Sequence, residues 1–267
     1  MKKTLCIIFA ALLMCCTLVP AFAADGIKAV VTICDGTSDM PALACADVTV
    51  TDKDADGALT VYDALYCAHE QYCKDGAAGF GTAMTDYGLS MTKLWGNGSG
   101  FGFGYYVNDV SAWSLTDPVK EGDYIAAFVY KDTEYWSDAY SYFDLKTVKA
   151  EKQETVTVYL TKLAWVSAPT EEDPYAGSLQ ASPAAGATIL LDGRDTGIQT
   201  GSDGHFSVYF NESGDHIISA KATDGSILVP PACKVTVKES EPNFFQKLMQ
   251  FIRNIIEKLK ALFTFKK

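Results

Sequence analysis

The stretch "ATILLDGRDTGIQTGSDGHFSVYFNESGDHIISAKATDGSILVPPACKVTV" leaves few folds open. Its apolar residues alternate with polar ones in short runs. The turn signals "DG", "SDG" and "ESGD" interrupt it at intervals of about ten residues. A helix of ordinary length cannot survive such punctuation. Short antiparallel strands can, and they bury their inner faces by stacking two sheets. The expectation is an all-β sandwich over residues 181–238. The preceding "SAPTEEDPYAGSLQASPAAG" has no hydrophobic period and reads as a linker at 167–180.

Upstream the pattern is mixed. "IKAVVTI" and "ADVTVT" are strand-like, "TVYDALYCAHEQY" places Val61, Ala64, Leu65 and Ala68 at helical spacing, and several aromatic strand-like runs follow up to "ETVTVYLTKLAWV". This predicts an α+β domain over 24–166, a mixed β-sheet with one main helix. Residues 1–23 have a basic start, an apolar run and a small-residue end at Ala23, the pattern of a secretory signal peptide. Secretion permits disulfides, so Cys34, Cys45, Cys67 and Cys73 are candidates for two bridges whose pairing stays open, and Cys233 is expected to be a buried thiol. Cys67, His69 and Cys73 match no zinc-ligand spacing.

Charge is divided along the chain. The total is −11, yet residues 243–267 hold six basic side chains and one acidic one. Residues 1–23 add two more, Lys2 and Lys3, so taking +5 and +2 from −11 leaves residues 24–242 with −18. Such a body repels nucleic acid, which removes that class of partner. The basic tail is amphipathic: Phe245, Leu248, Ile252, Ile255, Leu259 and Leu262 form one stripe, and Lys247, Arg253, Lys258 and Lys260 lie largely off it. Three uses suit that helix. It lies on an anionic membrane surface, packs on the protein's own acidic body, or oligomerises through its stripe.

In "DKDADGALTVYD" the residues Asp52, Asp54, Asp56, Ala58, Thr60 and Asp63 occupy positions 1, 3, 5, 7, 9 and 12 of a twelve-residue loop, with Gly57 at the sharp turn. The loop resembles the calcium loops of EF-hands and dockerins, with Asp in place of Glu at the last position. That resemblance implies calcium held by those six residues. A strand precedes the loop, so a strand–loop–helix site is expected. The alternative is a solvated acidic turn.

"TVYDAL", "FGTAMTDYGLSMTKLWGNGSGFGFGYYVND" and "VKEGDYIAAFVY" together resemble the C-terminal β-domain of the vitamin B12 carriers transcobalamin and intrinsic factor, and related domains of secreted Gram-positive surface proteins. The resemblance implies a ligand-binding domain and makes a corrinoid one possible ligand. Trp95, Phe101, Tyr106 and Trp113, clustered among glycines, are the candidate ligand face. Residues from Ala187 onward resemble the Ig-like and carboxypeptidase-regulatory-like sandwiches of bacterial surface proteins, which implies a spacer role. Among His69, His205 and His216 none sits in a nucleophile or metal motif, so no enzyme activity is expected. The reading is a secreted, non-catalytic cell-surface binding or adhesion protein for polysaccharide or protein. Corrinoid capture and a purely structural envelope role are the alternatives.

Overall fold

The computed structural model describes residues 26–98, 100, 102–174, 176–239 and 244–264. Residues 1–23, where a signal peptide is expected, lie outside them. The chain divides into two units, one built from residues up to Thr37 and Ala46–Thr133, the other from Ser38–Cys45 and Glu134–Lys267.

In the first unit β7 (Tyr124–Val129), "YIAAFV", is buried at all six positions. A strand apolar on both faces belongs in the middle of a sheet. It pairs in parallel with β1 (Ile27–Cys34), from Val30↔Tyr124 to Cys34↔Phe128, and antiparallel with β5 (Phe103–Val107). With β2 (Leu43–Val50) and β6 (Val110–Ser111) at the edges, the sheet order is β2-β1-β7-β5-β6. Helix α1 (Val61–Tyr72) packs against β1 and β7 and buries Val61, Ala64, Leu65 and Ala68, the four positions whose spacing announced it. A single 3₁₀ turn (Gly76–Gly79) leads to a separate hairpin of β3 (Gly81–Thr85) and β4 (Gly88–Lys93). This is the expected mixed sheet with one main helix.

The second unit is a β-sandwich larger than expected. One sheet runs β13 (Arg194–Gln199), β12 (Thr188–Leu191), β15 (Gly214–Lys221), β16 (Cys233–Lys238) and β9 (Thr147–Glu151). The other holds β8 (Tyr140–Phe143), β10 (Glu154–Ser167), β11 (Gly177–Pro183) and β14 (His205–Phe210). Phe143, Val158, Leu160 and Phe206 from one sheet meet Ile189, Ile218, Val235 and Val237 from the other in a single core. The Asp192-Gly193 pair forms the tight turn between β12 and β13, with φ of 51° and 78°. Both values are positive, as a two-residue hairpin turn requires.

Two domain boundaries are therefore corrected. β8, β9 and β10 belong to the sandwich, so the first unit ends at Thr133 and not at 166. Glu154–Tyr159 pairs with β14, and β9 pairs in parallel with β16, both far along the chain. The stretch 167–180 is not a free linker. β10 and β11 pair from Thr161↔Pro183 to Ser167↔Gly177, so most of it is a hairpin. The disulfide expectation also fails: no two cysteines are joined among the described residues. Cys45, at the start of β2, is grouped with the second unit, and Cys34, Cys67 and Cys73 with the first. Cys233 is fully buried, and burial pushes its thiol up to about 12.

Candidate functional site

The loop between β2 and α1 is folded by its own carboxylates. Asp52 accepts hydrogen bonds from the N–H groups of Ala55 (2.7 Å) and Gly57 (2.9 Å). These bonds, led by that from Gly57, hold its carboxyl below the ordinary range. Ala55 and Gly57 both take positive φ, which lets the chain reverse twice in three residues. Asp63 is fully buried. Its Oδ1 accepts from Lys53 N at 2.7 Å, and its Oδ2 accepts from Thr60 N (2.9 Å) and Thr60 Oγ1 (2.8 Å). Thr60 in turn caps α1, so the pair forms a capping box.

Carboxylate oxygens of Asp52, Asp54 and Asp63 lie within 4.8 Å of one another. Oxygens sharing one calcium ion sit about 2.3–2.6 Å from it, hence at most about 5 Å apart. The donor set is hard, anionic and of the right span. Burial first, and then the neighbouring charges of Asp56, Asp63 and Asp52, push the Asp54 carboxyl up. A dication shared by these oxygens would act against that shift. The full six-ligand expectation is not met by the side chains. Asp56 lies outside the group and accepts from Ala58 N at 2.8 Å. The Thr60 hydroxyl is committed to Asp63. Asp63 keeps a lone pair on Oδ1 alone, so it is a one-oxygen donor here. A salt bridge from Lys53 to Glu70, 2.6 Å, ties the loop to the helix.

The aromatic candidates divide. Trp113 is 96% exposed, as expected of a contact residue. Tyr106 is not: it is buried against Phe128, with ring centroids 6.1 Å apart, and burial pushes its hydroxyl up to about 12. Strand alternation turned it inward, beside Gly104, where any side chain would collide with Phe128. Trp95 is half-buried and sits 5.1 Å from the ring of His69. Phe101 lies outside the described residues. Tyr87, fully exposed at the β3–β4 turn, is an aromatic that sequence reasoning missed, although "DYG" is itself a turn signal. His69 is structural: buried, its Nδ1 donates to Leu65 O (2.6 Å) and its Nε2 accepts from Trp95 N (2.9 Å). Neither nitrogen remains for a metal, and burial holds its pKa below the ordinary 6.5.

Helix α2 (Phe244–Thr264) presents the opposite case. Every side chain from Leu248 to Lys260 is exposed, including Leu248, Met249, Phe251, Ile252, Ile255, Ile256 and Leu259. At about 100° per residue these seven span one arc of about 160°. Arg253 and Lys260 border one edge of the arc, and Lys258 the other. The alternative in which this helix packs on the protein's own body is thus not realised along 248–260. The side chains of Phe245 and Leu262 lie outside the described residues. No described helix is long and apolar enough to cross a membrane.

No known protein family matches the chain, and no curated protein does. Among solved structures, a chain described as "Structures of Clostridium thermocellum CbhA fibronectin(III)-like modules" is similar over 38% of this chain and 99% of its own, with 14% identity and a TM-score of 0.25.

Proposed function

We propose that the protein is a secreted, non-catalytic binding protein held at an anionic cell surface by α2, with its first unit clamped by calcium. The observation that carries this reading is the uncovered apolar arc of α2, bordered by basic side chains. An arc of that size left in water favours aggregation. An anionic lipid surface covers it, and the borders match: arginine and lysine stems run along the acyl boundary and place their charges among phosphates. The body of the protein, at −18, is repelled by the same surface, so attachment is confined to the tail.

Calcium at Asp52, Asp54 and Asp63 would neutralise the gathered charge and fix the start of α1. Sites with few charged ligands bind in the micromolar to millimolar range, which suits extracellular calcium. Trp113 and Tyr87 offer flat apolar faces to a polysaccharide or protein partner. The test of attachment is flotation of the protein, purified without residues 1–23, with phosphatidylglycerol vesicles. Co-flotation that disappears on deleting 243–267 supports the reading. Equal behaviour with and without the tail overturns it.

A further inference from the structure

A second recognition site lies at one end of the sandwich. The β12–β13 turn and the β14–β15 loop line an open cleft of about 380 Å³. That is within the range of small-molecule sites. Its frame is rigid. Asp192 accepts from Ile217 N at 2.8 Å and bonds His216 Nδ1 at 2.8 Å. His216 Nε2 lies 3.3 Å from the carbonyl of Glu212; both partners are acceptors, so the neutral ring donates to one of them and stands between the turn and the loop. Phe210 packs beneath it, 5.5 Å between ring centroids.

The lining above this frame is unused. Among the described residues, none hydrogen-bonds the Arg194 guanidinium, the Asn211 amide or the Glu212 carboxylate. Beside them stands Tyr209, 55% exposed. On β14 the side chains of Phe206, Val208 and Phe210 point inward and Tyr209 points out, so its ring does nothing for the core.

The chemistry selects a ligand class. An anion is disfavoured, because Asp192, Asp195 and Glu212 outnumber Arg194 in the wall. A cation meets the Arg194 guanidinium, and two of the three carboxylates are already engaged, Asp192 by His216 Nδ1 and Ile217 N and Asp195 by Lys221. A neutral sugar ring fits. Its hydroxyls both donate and accept, matching the amide, carboxylate and guanidinium, and its C–H face lies on an aromatic ring. We propose that this cleft binds a neutral sugar unit of a polysaccharide, with Tyr209 as the stacking platform and Arg194, Asn211 and Glu212 as its hydrogen-bonding groups. The inference rests on the reading of the protein as a binding protein, and it places glycan recognition in the second unit.

The test is saturation-transfer NMR and titration with four neutral tetrasaccharides: gluco-, manno-, galacto- and xylo-configured. At least one should bind at submillimolar to millimolar concentration. Tyr209→Ala and Asn211→Ala should each weaken it by about tenfold or more, with an unchanged melting temperature because both side chains are exposed. No binding of any tetrasaccharide at millimolar concentration overturns the proposal. So does binding that both variants leave intact, or preferential binding of tetralysine at the same residues. Vesicle flotation does not involve this cleft, so failure here and failure of surface attachment are separately visible.

Discussion

The two helices of this protein solve the same problem in opposite ways. Helix α1 has 12 residues and a modest apolar face, yet Val61, Ala64, Leu65 and Ala68 are all sealed against β1 and β7. Helix α2 has 21 residues and a far wider apolar face, and none of its described side chains is covered. Length does not explain the difference, since the shorter helix, of a length marginal in isolation, is the one that is sealed. Partners do. α1 is held by a sheet, a capping box and a buried histidine. Among the described residues α2 has no such contacts along 248–260, and the proposed lipid surface would supply the partner that α1 finds in the sheet.

The comparison can be broken most forcefully at paired apolar positions. Leu65→Ala should cost about 2–5 kcal/mol in chemical denaturation. Ile255→Ala should stay within about 0.5 kcal/mol while weakening vesicle binding. Equal costs would mean that α2 is covered after all. Next comes Asp63→Ala, which strips acceptors from Lys53 N, Thr60 N and Thr60 Oγ1. A loss of about 3 kcal/mol is expected, read as a lowered melting temperature, with flotation unchanged. Calcium follows. At a hundredfold excess over its Kd, calcium should stabilise the protein by about 2.7 kcal/mol relative to EDTA. Asp52→Asn should lose that gain, and Asp56→Asn should keep most of it, because Asp56 stands outside the converging oxygens. A melting temperature indifferent to calcium would leave the loop a hydrogen-bonded turn.

The smallest effect is pH dependence at His69. Its folded pKa lies below 6.5, so the unfolded state binds the proton more readily. The His69 contribution should be flat above about pH 6.5. As pH falls below that value, stability should drop by at most about 1.4 kcal/mol per pH unit until the folded ring titrates. His69→Gln should abolish this component of the slope. An unchanged slope would show that the ring is not held neutral by its burial.

Local patterns were legible where neighbours in sequence decide the outcome. Val61, Ala64, Leu65 and Ala68 announced α1, and Asp192-Gly193 announced its hairpin, whereas of the four carboxylates in the twelve-residue loop only Asp52, Asp54 and Asp63 come together and Asp56 stands outside. What the sequence hides is the choice of partner. β8, β9 and β10 look like the strands before them, and nothing in their alternation says that they pair with β14 and β16. Tyr106 and Trp113 are both aromatics near turns, but the period of two buries Tyr106 on β5, whereas Trp113 lies past the end of β6 and stands in water. Asp63 was read as a metal ligand, yet its first role is to cap a helix, a use of the same carboxylate that spacing cannot distinguish. The cleft at Tyr209 draws on residues from two separate turns, which no linear motif brings together.

Amide hydrogen exchange across residues 244–264, measured with and without phosphatidylglycerol vesicles, tests the account at its centre. Exchange in α2 should be fast in buffer and in the presence of phosphatidylcholine vesicles, and should slow strongly on the anionic ones, while β7 and α1 stay protected throughout. Protection of α2 in buffer alone, or none on anionic vesicles, would contradict it.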